Sequence, residues 1–465
     1  MSEMAHYLAL KKLNPSPSSS DKKAKEISTK LRELEKEFPA QADLSRMEEV
    51  IQYYVNSHKF MGSILLSRND QILLDKGYGY ANLEWQVPDS ADTKFRLGSI
   101  TKQFTAACIL LLEERGKVNT DDPVKKYLPD APSAWDHVTI YNLLTHTSGI
   151  PSFTEFPDYQ SNEAKPTTPE QLVAWFRDKP LEFQPGKDWH YSNSGYALLG
   201  YLIEKITGQR YQDFVEENIF KPLGMENSGY DSSTAVIPHR AAGYSPAPDG
   251  PVNAGYIDMS IPFSAGALYS TTHDLLRWEQ ALFAGELLST ESLRKMTIPF
   301  KRNYGCGLLV RTVNGLNVID HGGGIEGFST MLAYYPDDKL TVVVLGNLEG
   351  EAPVEIADSL AAIAHGEKVI LPSERKEVSV PPDTLAKYIG TYELGPKFNI
   401  TITLEGNQLM AQGTNQPKSP IFPESDTNFF SKTPDAQLEF FKNDQGQTTH
   451  LVLHQNGKDI NGVKK

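Results

Sequence analysis

Cysteine is almost absent from this chain of 465 residues, which contains only Cys108 and Cys306. Two thiols exclude a disulfide framework and a cysteine-rich zinc site, and they allow at most one bridge. Long apolar runs are missing too, because no stretch approaches the roughly 18 to 20 unbroken apolar residues of a membrane-spanning helix. Residues 1–13 also lack the apolar core of a signal peptide. We therefore expect a cytoplasmic protein as written, or a periplasmic or secreted one whose leader has been removed.

Positive charge is in deficit. With 45 Lys and Arg against 59 Asp and Glu, the formal net charge is -14, and the carboxylates are scattered along the chain without forming an acidic tail. This balance argues against binding to nucleic acid or to an anionic membrane. Small or neutral substrates are the expected partners.

The length of the chain favours two domains over a single core. Residues 1–43 are predicted to form a polar arm with a helix, which we interpret as a solvated helix packed on its own domain rather than as a docking helix for a partner subunit. A large domain is expected over 44–370, followed by a proline-rich linker over 371–383. Short alternating segments over 384–465 predict an all-β domain.

The large domain is predicted to belong to the α+β class. An early hairpin over 62–80, helical patterns in the middle and strands from 307 to 345 indicate one antiparallel sheet built from both ends of the domain, with helices covering it. The segments of the second domain follow one another in an even rhythm that is typical of a small up-and-down barrel or a sandwich.

Ser99 and Lys102 form a Ser-x-x-Lys pattern, which places the two side chains on one face of a helix. A partly buried lysine with a lowered pKa can activate a serine. Ser99 opens an apolar helix predicted to end at Gly116, so its amide is placed to stabilise an oxyanion; a simple N-cap role is the alternative. The same pattern also occurs by chance in the arm, a surface helix and the linker, at Ser19/Lys22, Ser20/Lys23, Ser292/Lys295 and Ser373/Lys376.

Two further segments carry groups that are suited to catalysis or to substrate binding. Tyr191 can relay protons beside a lysine, and Asn193 can orient that lysine or bind a substrate carbonyl. His321 precedes three glycines, 322–324, between two predicted strands. Such glycines let the backbone approach a ligand closely, although alone they are more typical of a bulge or a tight bend.

Taken in order, Ser-x-x-Lys, Tyr-x-Asn and His-x-Gly resemble the serine penicillin-recognising hydrolases. The resemblance covers roughly 44–365 and is closest to the branch of class C β-lactamases, D-alanyl-D-alanine carboxypeptidases, D-aminopeptidases and related esterases. The phrases over 78–81 and 143–149 are similar to stretches common in that family. The resemblance implies a β-lactamase-like fold with a mainly helical subdomain, and a C-terminal lipocalin-like barrel such as some D-aminopeptidase-like relatives carry.

The resemblance also implies roles. Ser99 would be the nucleophile, Lys102 its partner and Tyr191 the general base and later acid, while the choice between Lys102 and Tyr191 as first base stays open. The substrate-binding and oxyanion groups would be Asn193, His321 and Gly323, with the backbone amides of Ser99 and Gly324. No cofactor and no metal are implied. His146, within the family phrase, is interpreted as structural.

One departure from the family bears on the substrate. β-Lactamases of this branch usually have Lys-Thr-Gly where this chain has His321, Gly322 and Gly323, so a cation and a hydroxyl that help to grip a carboxylate are missing. We therefore expect an acyl-serine hydrolase of D-amino-acid peptides or short esters more than of β-lactams. The alternatives are an inactive receptor for peptidoglycan fragments or a partner protein, which retention of the serine, lysine and tyrosine disfavours, and a ligand carrier centred on the barrel. A homo-oligomer is a further expectation.

Overall fold

The structure, a computed structural model, describes residues 43–313, 315–396, 398–432, 435–455 and 458–465. Apart from Asp43, the predicted N-terminal arm lies outside the described residues, so its helix stays a prediction.

The large domain is built on one six-stranded antiparallel sheet, whose strands lie in the order Leu309–Val313, Leu316–Ile325, Phe328–Tyr335, Leu340–Gly346, Gly62–Arg68 and Gln71–Tyr78. Its first strand pairs with its last, with Gly62 opposite Gly346, so both ends of the domain contribute to the sheet. The predicted α+β class is confirmed. The strands are β1 Gly62–Arg68, β2 Gln71–Tyr78, β3 Leu309–Val313, β4 Leu316–Ile325, β5 Phe328–Tyr335 and β6 Leu340–Gly346.

Helices cover both faces of this sheet. Alternate residues of the central strands point to opposite sides, so Val342 and Val344 belong to one apolar cluster whereas Val343 and Leu345 belong to another. The longer helices are α1 Leu44–Asn56, α2 Thr101–Glu114, α3 Pro169–Arg177, α4 Asn193–Thr207, α5 Thr272–Ala284, α6 Thr290–Thr297 and α7 Ala352–Ala364. Helices α1 and α7 pack on one face, and α5 packs against β1 and β6 on the other.

Shorter elements connect these. Single-turn helices span Ile140–Leu144, Tyr159–Asn162, Tyr211–Val215, Lys221–Leu223, Phe263–Gly266 and Pro382–Leu385. Short strands span Tyr80–Asn82, Val87–Pro88, Phe95–Arg96, Gly229–Tyr230, Tyr244–Ser245, Val252–Asn253 and Leu268–Ser270.

Local sequence explains where the site-bearing helices begin and end. A 3-10 turn over Gly98–Ile100 leads into α2, which is buried along most of its length and is followed by Gly116 at φ +66. The Ser192 side chain accepts a hydrogen bond from the Gly195 amide and so caps α4, which ends at Gly208 in the left-handed conformation. Both helix ends agree with the sequence prediction.

The C-terminal strands form a closed barrel in consecutive order, β7 to β14. The last strand pairs with the first, with Lys464 opposite Tyr392, which closes the barrel; the sandwich alternative is wrong. An eight-stranded up-and-down barrel is the architecture of lipocalins. Tyr388, Ile402 and Leu451 are among the apolar side chains that pack as its core. The strands are β7 Gly390–Gly395, β8 Phe398–Glu405, β9 Gln408–Gly413, β10 Ser419–Pro423, β11 Asn428–Lys432, β12 Asp435–Lys442, β13 Thr448–Gln455 and β14 Lys458–Lys464.

Both cysteines are free and buried, so the one bridge that the sequence allows is not formed. Among the described residues, no helix combines the length and the apolar character needed to cross a membrane.

Asp89 gives the fold a measurable pH dependence. Asp89 is only 7% exposed, and burial raises the pKa of its carboxyl group to about 8. A contact with Thr93 lowers this pKa, but by less than burial raises it. An aspartate in the unfolded chain has a pKa near 3.9, so stability from this group is present below about pH 4 and is lost as the pH rises toward 8. We expect Asp89→Asn to raise the melting temperature by at least ~2 °C at pH 8 and to change it little at pH 4.

Thermal melts of wild type and Asp89→Asn across this range check the prediction, with the exposed Asp92→Asn as the control. Equal melting temperatures for wild type and Asp89→Asn at pH 8 would contradict it.

Candidate active site

Ser99 lies where a helix start meets the main sheet. It sits in the turn Gly98–Ile100, partly exposed, while the residues on either side of it are buried. Gly98 has a φ of +54, and a Cβ atom added there would lie 2.8 Å from the Gly324 amide nitrogen. Only glycine permits this approach. The first amides of a helix lack partners within the helix, so the Ser99 amide is placed to receive a developing negative charge.

Lys102 is buried beside Ser99, with no exposed surface. Its Nζ lies 2.9 Å from Ser99 Oγ, 2.9 Å from Asn193 Oδ1 and 2.8 Å from the Ala265 carbonyl oxygen. Burial holds the pKa of this amine well below its usual range. Within the described part of the chain, no carboxylate pairs with it. Lys102 is therefore suited to exist as a neutral amine next to the serine.

Tyr191 and Asn193 complete the polar contacts of this pair. The Tyr191 side chain lies next to that of Ser99, and its ring centroid lies 4.8 Å from Lys102 Nζ. Burial raises the pKa of Tyr191 above its usual range, so the phenol keeps its proton at neutral pH. Asn193 accepts from Lys102 through Oδ1 and donates to Thr154 Oγ1 at 3.1 Å through Nδ2. Asn193 thus orients the lysine.

The glycines after His321 lie inside a strand and not between two strands as predicted, and they form neither the bulge nor the tight bend that such glycines favour when taken alone. Strand β4 runs on to Ile325 and pairs in register with β5 as far as Phe328. A Cβ atom at Gly323 would lie 1.9 Å from the Leu97 carbonyl oxygen, so glycine is required for the strand to pass the segment before Ser99. Gly324 is exposed at this point, which leaves its backbone open to a ligand.

His321 belongs to this strand, is only 5% exposed, and has partners for both of its ring nitrogens. Nδ1 is 2.6 Å from the Gly322 carbonyl and therefore donates, and Nε2 accepts from the Tyr304 hydroxyl at 3.0 Å. Burial and the neighbouring Lys102 lower the pKa of His321 to about 4. At neutral pH this imidazole is uncharged, so it does not replace the family's lysine as a cation.

Sequence reasoning missed part of the surroundings of Tyr191. A cluster of rings contains the buried His146, Tyr196 and Tyr304 and the half-buried Trp189. The Ala265 carbonyl, which holds Lys102, carries no sequence signal because every residue has one. For His146 a signal existed, since it lies in the phrase 143–149, but the pattern did not show that it would contact Tyr191.

Comparison with known proteins identifies the family. The β-lactamase family model matches residues 47–367, well over half of the chain. The chain belongs to the β-lactamase family. It is a serine hydrolase of this family, as the resemblance implied. A separate model, that of the domain of unknown function DUF3471, matches residues 374–464, which contain the barrel.

Some relatives match this β-lactamase-family chain over most of its length. It is 30% identical to penicillin-binding protein 4* of Bacillus subtilis over 88% of this chain and 95% of that protein. The octameric penicillin-binding protein homologue from Pyrococcus abyssi is similar in structure over 91% of this chain and all of that one, with 27% identity and a TM-score of 0.65. A D-stereospecific amidohydrolase from Streptomyces sp. is 28% identical with a TM-score of 0.59, covering 68% of this chain and 98% of that one.

Proposed function

We propose that this protein hydrolyses amide or ester bonds through an acyl intermediate on Ser99, and that its substrates are small molecules with a free amine close to the scissile carbonyl. The placement of Lys102 carries the proposal. A lysine without exposed surface contacts the serine hydroxyl, and its two other contacts, Asn193 Oδ1 and the Ala265 carbonyl, are both acceptors.

These contacts favour Lys102 as the first base. A neutral amine has two N–H donors, which Asn193 and Ala265 accept, and one lone pair, which then points to the Ser99 hydroxyl. The lowered pKa of Lys102 and the raised pKa of Tyr191 support the same assignment.

In acylation, Ser99 Oγ bonds to the substrate carbonyl carbon as its proton passes to Lys102. The amides of Ser99 and Gly324 stabilise the oxyanion. As the bond to the leaving group breaks, the Tyr191 hydroxyl donates a proton to the departing amine or alkoxide, and Lys102 returns the proton to Tyr191. In deacylation a water molecule attacks the acyl carbon as one of its protons passes to Lys102. The bond between the acyl carbon and Ser99 Oγ then breaks, and Lys102 returns this proton to Oγ.

The charge near Gly324 supports a substrate with an amine. Glu326 follows two residues later, so its Cα lies within about 7 Å of that of Gly324. Burial raises the pKa of Glu326 and a hydrogen bond to its own backbone lowers it, while the charges of Glu163 and Glu349 raise it by more than that of Arg96 lowers it. The charges near Glu326 therefore give this end of the strand a negative potential. Such a potential attracts an ammonium group and repels a carboxylate. The amidohydrolase from Streptomyces and the D-amino acid amidase from Ochrobactrum anthropi, which is 26% identical, are similar in structure.

A substrate panel tests the proposal. We expect D-alanine p-nitroanilide to be hydrolysed at least ~10-fold more efficiently than its N-acetyl derivative, because the derivative lacks the charge that Glu326 attracts. We expect p-nitrophenyl acetate to be cleaved and nitrocefin to be a poor substrate. Ser99→Ala is the blank, and L-alanine p-nitroanilide measures stereochemical preference.

The variant Glu326→Gln tests the part of this carboxylate, and the exposed Glu226→Gln is its control. Glu326→Gln should reduce the ratio of kcat/KM for the free amine to kcat/KM for its N-acetyl derivative. Its kcat/KM for the ester should stay within about twofold of wild type. Nitrocefin as the best substrate, or equal rates on the free and acetylated amides, would contradict the proposed substrate class. No turnover of any member by folded protein would favour the receptor alternative.

Self-association stays a prediction for this chain. The octameric relative from Pyrococcus abyssi, which matches nearly the whole chain including the barrel, supports it.

A further inference from the structure

His146 lies in a turn that holds it in an unusual backbone conformation. It follows the short helix Ile140–Leu144, has a φ of +57 and is 1% exposed. A residue other than glycine in the left-handed region is strained and persists only where its surroundings fix it. Hydrogen bonds on both sides do so: the Thr145 amide donates to Tyr141 O at 3.1 Å, and the Thr147 amide donates to Asn142 O at 2.8 Å.

Two hydrogen bonds join His146 to the residues on either side of Tyr191. The His190 amide donates to the His146 carbonyl at 3.1 Å, and the Ser192 amide donates to His146 Nδ1 at 3.0 Å. The imidazole also lies against the tyrosine ring, with centroids 4.3 Å apart and planes inclined by 36°. Tyr191 is therefore held through both flanking amides and through its ring by one residue.

The same contacts fix the form of the imidazole. Because Nδ1 accepts a hydrogen bond, the proton is on Nε2, which is buried among the rings of Tyr196 and Tyr304 and has no hydrogen-bond partner in the described part of the chain. Burial lowers the pKa of His146 well below its usual range. Lacking both a charge and a free lone pair, His146 has no means to transfer protons in the reaction.

We propose that His146 is a positioning residue, which fixes Tyr191 so that its hydroxyl stays at Ser99 throughout acylation. The inference rests on the role proposed above for Tyr191. It assigns to the turn over 145–147 a part in the rate of the chemical step, with no contact to the substrate.

A matched pair of variants tests this inference. The amide oxygen of His146→Asn can take the place of Nδ1, and asparagine tolerates the left-handed conformation, whereas the amide of His146→Gln reaches the position of Nε2. We expect His146→Gln to lower kcat on D-alanine p-nitroanilide about 10²-fold with KM little changed, and to shift the pH midpoint of kcat. His146→Asn should keep kcat within about fivefold of wild type, with the wild-type pH midpoint. A residue that only stabilises the fold would change the active fraction and leave the midpoint in place.

The outcomes separate this inference from the proposed function. A wild-type protein that a fluorophosphonate does not label at Ser99 overturns the proposed function. A wild type that is labelled, with His146→Gln and His146→Asn equal in kcat and in pH midpoint, overturns the role of His146 alone. Nitrogen-15 spectra of the wild-type histidines give an independent reading: an unprotonated Nδ1 and a protonated Nε2 at His146 from pH 6 to 9 support the inference, and an imidazole that titrates in this range overturns it.

Discussion

Ser99→Ala is expected to lower kcat/KM for amides and esters by about 10⁴ to 10⁶, to the level left by binding and the oxyanion site alone. In the proposed reaction the hydroxyl oxygen forms the bond to the substrate carbonyl carbon, and no neighbouring group replaces it at that place. The melting temperature should change little, because Ser99 is partly exposed and its removal leaves no buried cavity. Kinetics and thermal melts on the same preparation check both expectations.

The chain offers a matched control for this variant. Ser373 and Lys376 share the Ser-x-x-Lys spacing, and Ser373 is exposed. Ser373→Ala should behave as wild type in rate and in melting temperature. An active Ser99→Ala would contradict the assignment of the nucleophile, whatever the control shows.

Lys102→Met is the second variant with a large expected effect. It removes the group that we propose as the first base, so we expect kcat/KM to fall about 10³-fold. Thermal stability, in contrast to activity, should not fall. Keeping a lysine without exposed surface is costly, and methionine fills a similar volume without a polar group, so the melting temperature should stay the same or rise.

Lys295→Met is the matched control, since Lys295 belongs to the Ser-x-x-Lys pattern that begins at Ser292. Its Nζ lies 2.8 Å from Glu113 Oε2, so the variant breaks an ion pair. Lys295→Met should keep wild-type activity and lose stability, the reverse of Lys102→Met. A Lys102→Met protein that loses activity only because it unfolds would contradict our account of the buried lysine.

Much of the fold was predictable because its signals are local. The hairpin over 62–78, the helix that follows Ser99 and the glycine that ends α4 each follow from hydrophobic periodicity and turn residues. Three barrel strands had no clear signal: Gly390–Gly395, Ser419–Pro423 and Lys458–Lys464. The first segment has a glycine at each end, the second contains two prolines and the third is polar, so the strand pattern is weak in all three. They form strands because they pair with neighbouring strands in the closed barrel.

The site was predictable to the extent that it depends on spacing and order. Ser99, Lys102 and Asn193 lie together as the order of motifs indicated. The sequence does not show which distant segments come together in the fold. The burial of Lys102, its contact with the Ala265 carbonyl and the contact of His146 with Tyr191 all depend on segments far apart in the chain. The glycines after His321 were predicted to lie between two strands and not within one, because their close packing against Leu97 appears only in the folded sheet.

The central claim is that Ser99 is the residue that becomes acylated, and mass spectrometry of the protein treated with a fluorophosphonate tests it directly. We predict one covalent adduct per chain, on the peptide that contains Ser99, together with loss of activity in proportion to labelling and no adduct in Ser99→Ala. Active protein that gives no adduct on Ser99, or that loses activity through an adduct on another residue, would contradict the claim.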